Sequence, residues 1–368
     1  MSYDEQLHTK KFRIRNAFER IAGLPAQHAS LKDLHVEGSA DAYRYRNRVE
    51  FSVADGNFGK HRRRSNDLVR IKECSLQSSH ADQCYQEIVE FFGGDSQCGA
   101  DGIEYVSIRS ARSGELLVNV ASRDRMDATI ISLAVRLGER CSSLRGVVNS
   151  VLVKDSPVGL RQVQEAHVLF GSGFLEERLG DLVCKVSANA FFQVNTPMTE
   201  VLYRYVVDVA AVRPSDVLYD LYCGSGTISL FLAKHSATPP REILGVELAE
   251  VSVEDARENA LINGLDSASD FVCGDVGDLT PIVALGGHAK PDVVVVDPAR
   301  SGLSKPALDS ILELAPRTLV YVSCDVSTQA RDVKRILEGG RYMVTGVRGF
   351  DLYPQTTHVE SVCTLTRK

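Results

Sequence analysis

The chain has 368 residues, 44% hydrophobic and 24% charged, with a net charge of −6. These figures suit a globular protein of about two domains and exclude both a disordered chain and a polycation. A polar opening and the lack of any apolar run long enough to cross a bilayer lead us to expect neither a leader nor a membrane span, and a cytoplasmic or comparably reducing location.

In chain order, residues 3 to about 22 place Leu7, Ile14, Phe18 and Ile21 at helical spacing, and Gly23-Leu24-Pro25 supplies a stop. From Tyr43 the period shortens: Val49, Phe51 and Val53 alternate with Arg48, Glu50 and Ser52, the pattern of a strand with one wet face. Asp55-Gly56-Asn57 turns the chain, and a second short strand is expected at Leu68 to Ile71. Arg44, Arg46, Arg48, Lys60, His61, Arg62, Arg63, Arg64, Arg70 and Lys72 crowd into this region. Such a patch either contacts phosphates or is a solvated basic face.

A polar helix is expected over 78–92, stopped by Gly93-Gly94. Ile103 to Ser110 and Glu115 to Ser122 flank Arg112-Ser113-Gly114 as a hairpin, and Met126 to Leu137 has helical character. Strands follow near Val147 to Val153, His167 to Phe170 and Leu182 to Val186. We therefore expect a smaller mixed α+β domain over 1–187.

From residue 188 to 368 apolar strands and helices alternate regularly. Thr196-Pro197 opens a helix to about Ala211. Strands are expected at Val217 to Tyr222, Ile243 to Leu248, Phe271 to Cys273, Val293 to Val296 and Leu319 to Val322; helices at Thr227 to Lys234, Ser252 to Asn263, Pro306 to Leu314 and Thr328 to Leu337. This is the pattern of a parallel, doubly wound α/β sheet. Strands near Tyr342 to Val347 and Val359 to Thr366, joined by a short Pro-containing segment, suit an antiparallel edge hairpin.

Within that half, Asp220 to His235 reads strand, glycine turn, helix, and Gly224 and Gly226 let the backbone approach a ligand at the helix N-terminus. Ser229 stands where a dinucleotide fingerprint has its third glycine, which disfavours a nicotinamide cofactor. Glu247, Asp275 and Asp297 end the next three strands. They either cap the elements that follow or hold a nucleoside bearing a positive substituent, and S-adenosylmethionine is such a ligand. Nine scattered cysteines, never spaced as CxxC, argue against a disulfide framework and a self-contained zinc site, so no metal is expected. Cys324 stands out among them at the end of the apolar run Leu319 to Val322, where α/β sheets bind ligands; the alternative is a small buried core residue.

VDPARSGL (296–303), VSCD (322–325), DLYPQTTHVE (351–360), FFQVN (191–195) and the DLYCGSGT turn together resemble the RNA uridine-5-methyltransferase family, which includes tRNA T-loop and 23S ribosomal RNA enzymes. The resemblance covers the whole second half and is looser before it, chiefly YRYRNRVEF at 43–51. It implies a Rossmann-like, seven-stranded methyltransferase domain preceded by an RNA-binding one, S-adenosylmethionine as cofactor, an RNA substrate and no membrane partner. Cys324 would be the nucleophile adding to carbon 6 of uracil, and Glu360 the base that removes the carbon 5 proton. Asp297 would hold substrate or cofactor beside the nucleophile. Gln193, Tyr222, Gly224, Gly226, Thr227, Glu247 and Asp275 would line the cofactor pocket, with Gln193 also close to the base. Arg300 balances local carboxylates or meets a phosphate.

Three departures stand out. Ala299, Asp325 and Val326 replace residues that are commonly otherwise in the family, with effects on loop stiffness. Many relatives carry an oligonucleotide-binding-like domain and an iron-sulfur cluster on four cysteines; only Cys74 resembles a remnant, so no cluster is expected and the chain is either a compact form or a shortened one. A monomer is expected. Alternatives are a cytosine-5 methyltransferase, a noncatalytic RNA-binding or folding factor on the same scaffold, and, last, a Rossmann dehydrogenase.

Overall fold

Ser2 starts the first helix, α1 (Tyr3–Arg20), through a capping box: its hydroxyl accepts from the Glu5 amide while the Glu5 carboxylate accepts from the Ser2 amide. Gln6, Lys10, Ile14, Ala17 and Phe18 form its buried stripe. Ile21, expected on that stripe, is the exposed C-cap instead.

The structure, a computed structural model, describes residues 1–62, 65–93, 99–153 and 162–368, with only the backbone at Leu285. Arg63, Arg64 and Gly94 lie outside the described residues. The chain divides into two compact units, one of Met1–Ala42, Arg178–Cys184 and Phe191–Lys368, the other of Tyr43–Glu177 with Lys185–Ala190. This differs from the single boundary expected at residue 187. The cause is packing: after α1 come α2 (Ala29–Lys32) and β1 (Val36–Glu37), and their Ile14, Phe18, Leu31 and Val36 enter one core with residues of the second half such as Ala330 and Val344.

The unit beginning at Tyr43 contains β2 (Arg48–Ala54), β3 (Asn57–His61), β4 (Leu68–Arg70), α3 (Ser79–Gly93), β5 (Ile103–Ser110), β6 (Leu116–Ser122), α4 (Asp127–Arg140), β7 (Leu144–Leu152) and β8 (Val163–Gly171). Its seven strands run in the order β4-β3-β2-β5-β6-β7-β8. All neighbours are antiparallel except β6 and β7, which α4 joins as a crossover. Ile88 of α3 and Leu133 of α4 pack on Phe51, Val106 and Val118. Strand β3 escaped the sequence reading because Phe58 is the one large apolar residue in it. Gly59 is required there, since a Cβ would lie 2.0 Å from the Val69 carbonyl oxygen on β4. Of the basic residues, Arg44, His61, Arg62, Arg70 and Lys72 are exposed, while Arg46, Arg48 and Lys60 are half-buried. Arg44 also pairs with Asp82 at 2.9 Å. Cys74 is half-buried against this core, its amide donating to Asp82.

A two-stranded hairpin, β9 (Phe174–Leu179) and β10 (Leu182–Ser187), follows, and β9 was not anticipated.

The remaining elements are α5 (Thr196–Ala210), β11 (Val217–Leu221), α6 (Thr227–His235), β12 (Glu242–Glu247), α7 (Glu250–Ile262), β13 (Ser269–Cys273), α8 (Leu279–Gly286), β14 (Val293–Val296), α9 (Lys305–Leu314), β15 (Thr318–Ser323), α10 (Val326–Glu338), β16 (Tyr342–Phe350) and β17 (Glu360–Arg367). The sheet runs β13-β12-β11-β14-β15-β17-β16-β1. It is parallel from β13 to β15, with β17 antiparallel between β15 and β16. The expected seven strands are present, and β1 adds an eighth, parallel to β16. The strands at its centre, such as Val293–Val296, are buried on both faces and hence continuously apolar. Helix α8 was missed because LTPIVALG is apolar nearly throughout and shows no period.

Strand order reverses about β11, which lies between β12 and β14. In open α/β sheets the crevice at such a switch point, beyond the carboxyl ends of the strands, receives ligands. The β17 strand runs the other way, so it is its amino end that faces the same side.

Candidate active site

At the end of β11 the chain turns sharply. Tyr222, Gly224 and Gly226 have φ of 65°, 54° and 74°. Two of these residues are glycine, for which the left-handed region carries no penalty. A Cβ at Gly226 would lie 2.8 Å from the Phe271 ring, whereas one at Gly224 would meet nothing within 4 Å. Gly226 caps α6 without a side-chain hydrogen bond, so the helix N-terminus is not blocked by its own cap. Below the turn, buried Asp220 accepts from the Ser229 amide at 3.1 Å, and burial pushes its carboxyl up to about 7.

The two acidic strand ends beside this turn already have backbone partners. Glu247 accepts from the Gly224 amide at 3.1 Å and from the amides of Leu248 and Ala249 at 2.9 and 3.0 Å. Exposed Asp275 accepts from the Gly277 amide at 2.7 Å. Both capping and ligand-facing readings therefore apply to Glu247: its bond to Gly224 ties it to the glycine turn. Thr227 is buried and its hydroxyl is shared with Tyr203 at 2.9 Å, which gives it a packing role within the site. Burial, followed by the charges of Asp275, Asp332 and Glu247, raises the half-buried Tyr222 phenol to about 12.

A second group lies at the neighbouring ends of β14, β15 and β17. Gln193 donates to Asp297 at 3.4 Å, and burial lifts the Asp297 carboxyl to about 6. Cys324 is half-buried; burial and then the charges of Glu360 and Asp297 push its thiol up to about 11, against the opposing charge of Arg300. Glu360 is 1% exposed, and burial together with Asp297 holds its carboxyl well above the usual range. Tyr353, by hydrogen bonding to Glu360, and Arg300, by its charge, act in the other direction. One oxygen, Glu360 Oε2, is buried without a hydrogen-bond partner.

The turn carrying Cys324 is held by its neighbours. Ser323 Oγ accepts from the Asp325 amide at 3.1 Å, and Asp325 caps α10 by accepting from the amides of Ser327 and Thr328. The family departure at Asp325 thus places a helix cap directly after the cysteine. Behind the turn, Gln329 donates to the carbonyls of Tyr321 (2.8 Å) and Ser361 (3.1 Å), joining β15 to β17. Asp332 accepts from the Tyr321 hydroxyl and the Leu303 amide, both at 2.8 Å, and so shapes the loop after Asp297.

Sequence reasoning missed Asp220, Tyr203, Gln329, Asp332, Tyr353 and Lys10. Tyr353 lay within the quoted DLYPQTTHVE motif. Lys10 carried a signal in its spacing, three after Leu7 and four before Ile14, which puts it on the apolar stripe of α1.

A doubly wound sheet with a glycine turn and acidic strand ends at its switch point suits a nucleoside-bearing cofactor, and a methyltransferase-domain model that matches residues 214–365 gives the class as methyltransferase. A model of the tRNA (uracil-5-)-methyltransferase family matches residues 2–269, and the chain belongs to that family. Among curated relatives, an uncharacterized RNA methyltransferase of Clostridium tetani is 31% identical over 100% of this chain and 79% of its own length. One of Chlorobaculum tepidum is 32% identical over 100% of this chain and 80% of its own. The crystal structure of Pyrococcus abyssi tRNA (uracil-54, C5)-methyltransferase in complex with S-adenosyl-L-homocysteine superimposes with a TM-score of 0.78 at 25% identity, covering 100% of this chain and 84% of that one. The protein is an RNA methyltransferase that uses S-adenosylmethionine.

The residues fit that cofactor. Gly224 leaves open space at an uncapped helix N-terminus, a setting for a ligand carboxylate, and Glu247 and Asp275 stand at the adjoining strand ends. Among the described residues no group of His, Cys, Asp and Glu is arranged to hold a metal ion, and no helix is long and apolar enough to cross a membrane.

Proposed function

We propose that this chain methylates carbon 5 of a uridine in tRNA or 23S ribosomal RNA through a covalent Cys324 adduct. The observation that carries the reading is the grouping about Cys324 of Glu360 and Asp297, at neighbouring strand ends, and of Arg300, on the loop after β14, each within electrostatic reach of the cysteine. Carbon 5 of uracil is a weak nucleophile. The Cys324 thiolate adds to carbon 6, and the electrons of the ring double bond move to form an enolate whose carbon 5 can attack. S-adenosylmethionine supplies an electrophilic methyl group. Glu360 as carboxylate then takes the carbon 5 proton, the C–H electrons restore the double bond, and the C–S electrons return to sulfur.

In this scheme Gln193 and Asp297 hold the base against the nucleophile, and Arg300 favours both the Cys324 thiolate and the Glu360 carboxylate against the cost of burial. Glu247 and Asp275 receive the cofactor's nucleoside, beside Tyr222, Gly224, Gly226 and Thr227. RNA phosphates are met by the exposed basic residues Arg62, Arg70 and Lys72 of the α+β unit. The family match and the archaeal neighbour's own substrate support tRNA as the first RNA to offer.

The test uses matched tRNA and 23S ribosomal RNA transcripts with labelled cofactor. Label in 5-methyluridine is expected; label in 5-methylcytidine would transfer the chain to the cytosine class. A protein that binds RNA and cofactor but transfers no methyl group would be the noncatalytic factor.

A further inference from the structure

Lys10 is buried in α1, far in sequence from the motifs of the site, with a side chain only 2% exposed. Its ammonium lies 2.5 Å from Asp351 Oδ1 and donates to the Tyr353 carbonyl at 3.0 Å. Asp351 is itself fully buried, accepts from the Tyr3 hydroxyl at 3.0 Å, and takes the Tyr353 amide at 3.2 Å. The same helix also reaches the segment through Gln6, which exchanges hydrogen bonds with the Gln355 amide and side chain, and through Arg13, which donates to the Thr357 carbonyl. The segment from Asp351 to His358 is thereby strapped to α1 along its length. Its third residue, Tyr353, is fixed at both its amide and its carbonyl, and hydrogen-bonds Glu360 through its side chain.

A buried ion pair is costly to desolvate and gives little net stability relative to apolar packing. A pair with two further backbone bonds to one tyrosine does something packing would not: it fixes the backbone from which that tyrosine's side chain reaches Glu360. We propose that Lys10 and Asp351 are positioning residues for the proton-abstraction step, holding Tyr353 so that its hydroxyl donates to Glu360 and keeps the carboxylate aimed. The proposal rests on Glu360 being the base that takes the carbon 5 proton. In that step the proton passes to the Glu360 carboxylate, the C–H pair becomes the ring double bond, and sulfur recovers the C–S pair; Lys10, Asp351 and Tyr353 exchange nothing.

The role predicts a split between two steps of one turnover. RNA carrying tritium at uridine carbon 5 is mixed with excess full-length enzyme and methyl-labelled cofactor, and methyl incorporation, tritium release and denaturant-resistant adduct are followed together. Lys10→Met and Tyr353→Phe should each incorporate methyl at the wild-type rate, release tritium about tenfold more slowly, the size of one lost bond to a charged group, and accumulate adduct. The double variant Lys10→Met, Asp351→Asn leaves no lone buried charge and should behave alike, so a folding defect of the single variant does not decide the matter. Loss of methyl incorporation in proportion to tritium release, or release unchanged in all three variants, would overturn the proposal. Glu360→Gln in the same assay tests the underlying reading: if it accumulates adduct and the other variants do not, only the positioning role fails, and if it turns over cleanly, the base assignment itself fails.

Discussion

Ser323, the last residue of β15, pairs in antiparallel register with Ser361 of β17, so Cys324 and Glu360 leave the ladder one step beyond the same pair. Parallel strands would have put these two residues at opposite ends of the sheet. The reversal of β17 brings a residue 36 positions later in sequence to the cysteine's side, and Gln329 bonds to both strands at that point.

Replacing Cys324 by alanine should abolish methyl transfer. It should equally abolish capture by RNA containing 5-fluorouridine, which cannot release a carbon 5 proton and so traps the adduct. Circular dichroism and melting should be unaffected, because the side chain is only half-buried. Retention of either activity or capture would remove Cys324 from the nucleophile's role.

The Gln329 staple gives a stability prediction. Its amide donates to the Tyr321 and Ser361 carbonyls and accepts from Ser361 Oγ at 2.7 Å, all in a buried setting. Gln329→Ala strands these groups and should cost about 3 kcal/mol. Urea unfolding would show it as a lowered midpoint at unchanged slope, and the cysteine–glutamate geometry should suffer with it, lowering turnover in the variant even where it is fully folded.

The two glycines of the first turn should respond differently to alanine. At Gly226 a Cβ would strike the Phe271 ring at 2.8 Å with φ at 74°, so the fold itself is strained, by about 2–4 kcal/mol. At Gly224 the φ of 54° costs about 1–2 kcal/mol, but the Cβ meets no protein atom within 4 Å. That methyl would stand in the space assigned to the cofactor. Gly224→Ala should therefore stay folded and lose S-adenosylmethionine affinity, read by calorimetric titration, while Gly226→Ala should show first as a fall in melting temperature.

The second half of the fold was legible because its central parallel strands are buried on both faces and helices such as α9 and α10 on one, which writes apolar runs and periodic stripes into the sequence. Val293–Val296 and the Thr227 helix are read directly from such runs. Strand β3 and helix α8 escaped for opposite reasons, the first with too few apolar residues and the second with too many. The site's motif residues could be listed from the resemblance, but not its supports: Gln329, Asp332 and Lys10 act through buried polar bonds to residues distant in sequence, and a place on an apolar stripe, as Lys10 has, does not say which partner the side chain meets. The division into units was misread for the same reason, since α1 is joined to β16 and α10 by contacts across more than 300 residues.

The charges around Cys324 give a pH signature of opposite signs. Burial, Glu360 and Asp297 raise its thiol to about 11, and Arg300 opposes them. Asp297, lifted to about 6, is anionic throughout an alkaline titration. Asp297→Asn removes that negative field, makes the thiolate easier to form, and should move the pH dependence of Cys324 alkylation to lower pH. Arg300→Leu removes the one opposing cation among these groups and should move it to higher pH. Iodoacetamide labelling of the Cys324 peptide, followed by mass spectrometry between about pH 7 and 11, reads both shifts, since only the thiolate reacts. Displacement of both curves in the same direction would mean that packing changes, rather than the fields of Asp297 and Arg300, govern the thiol.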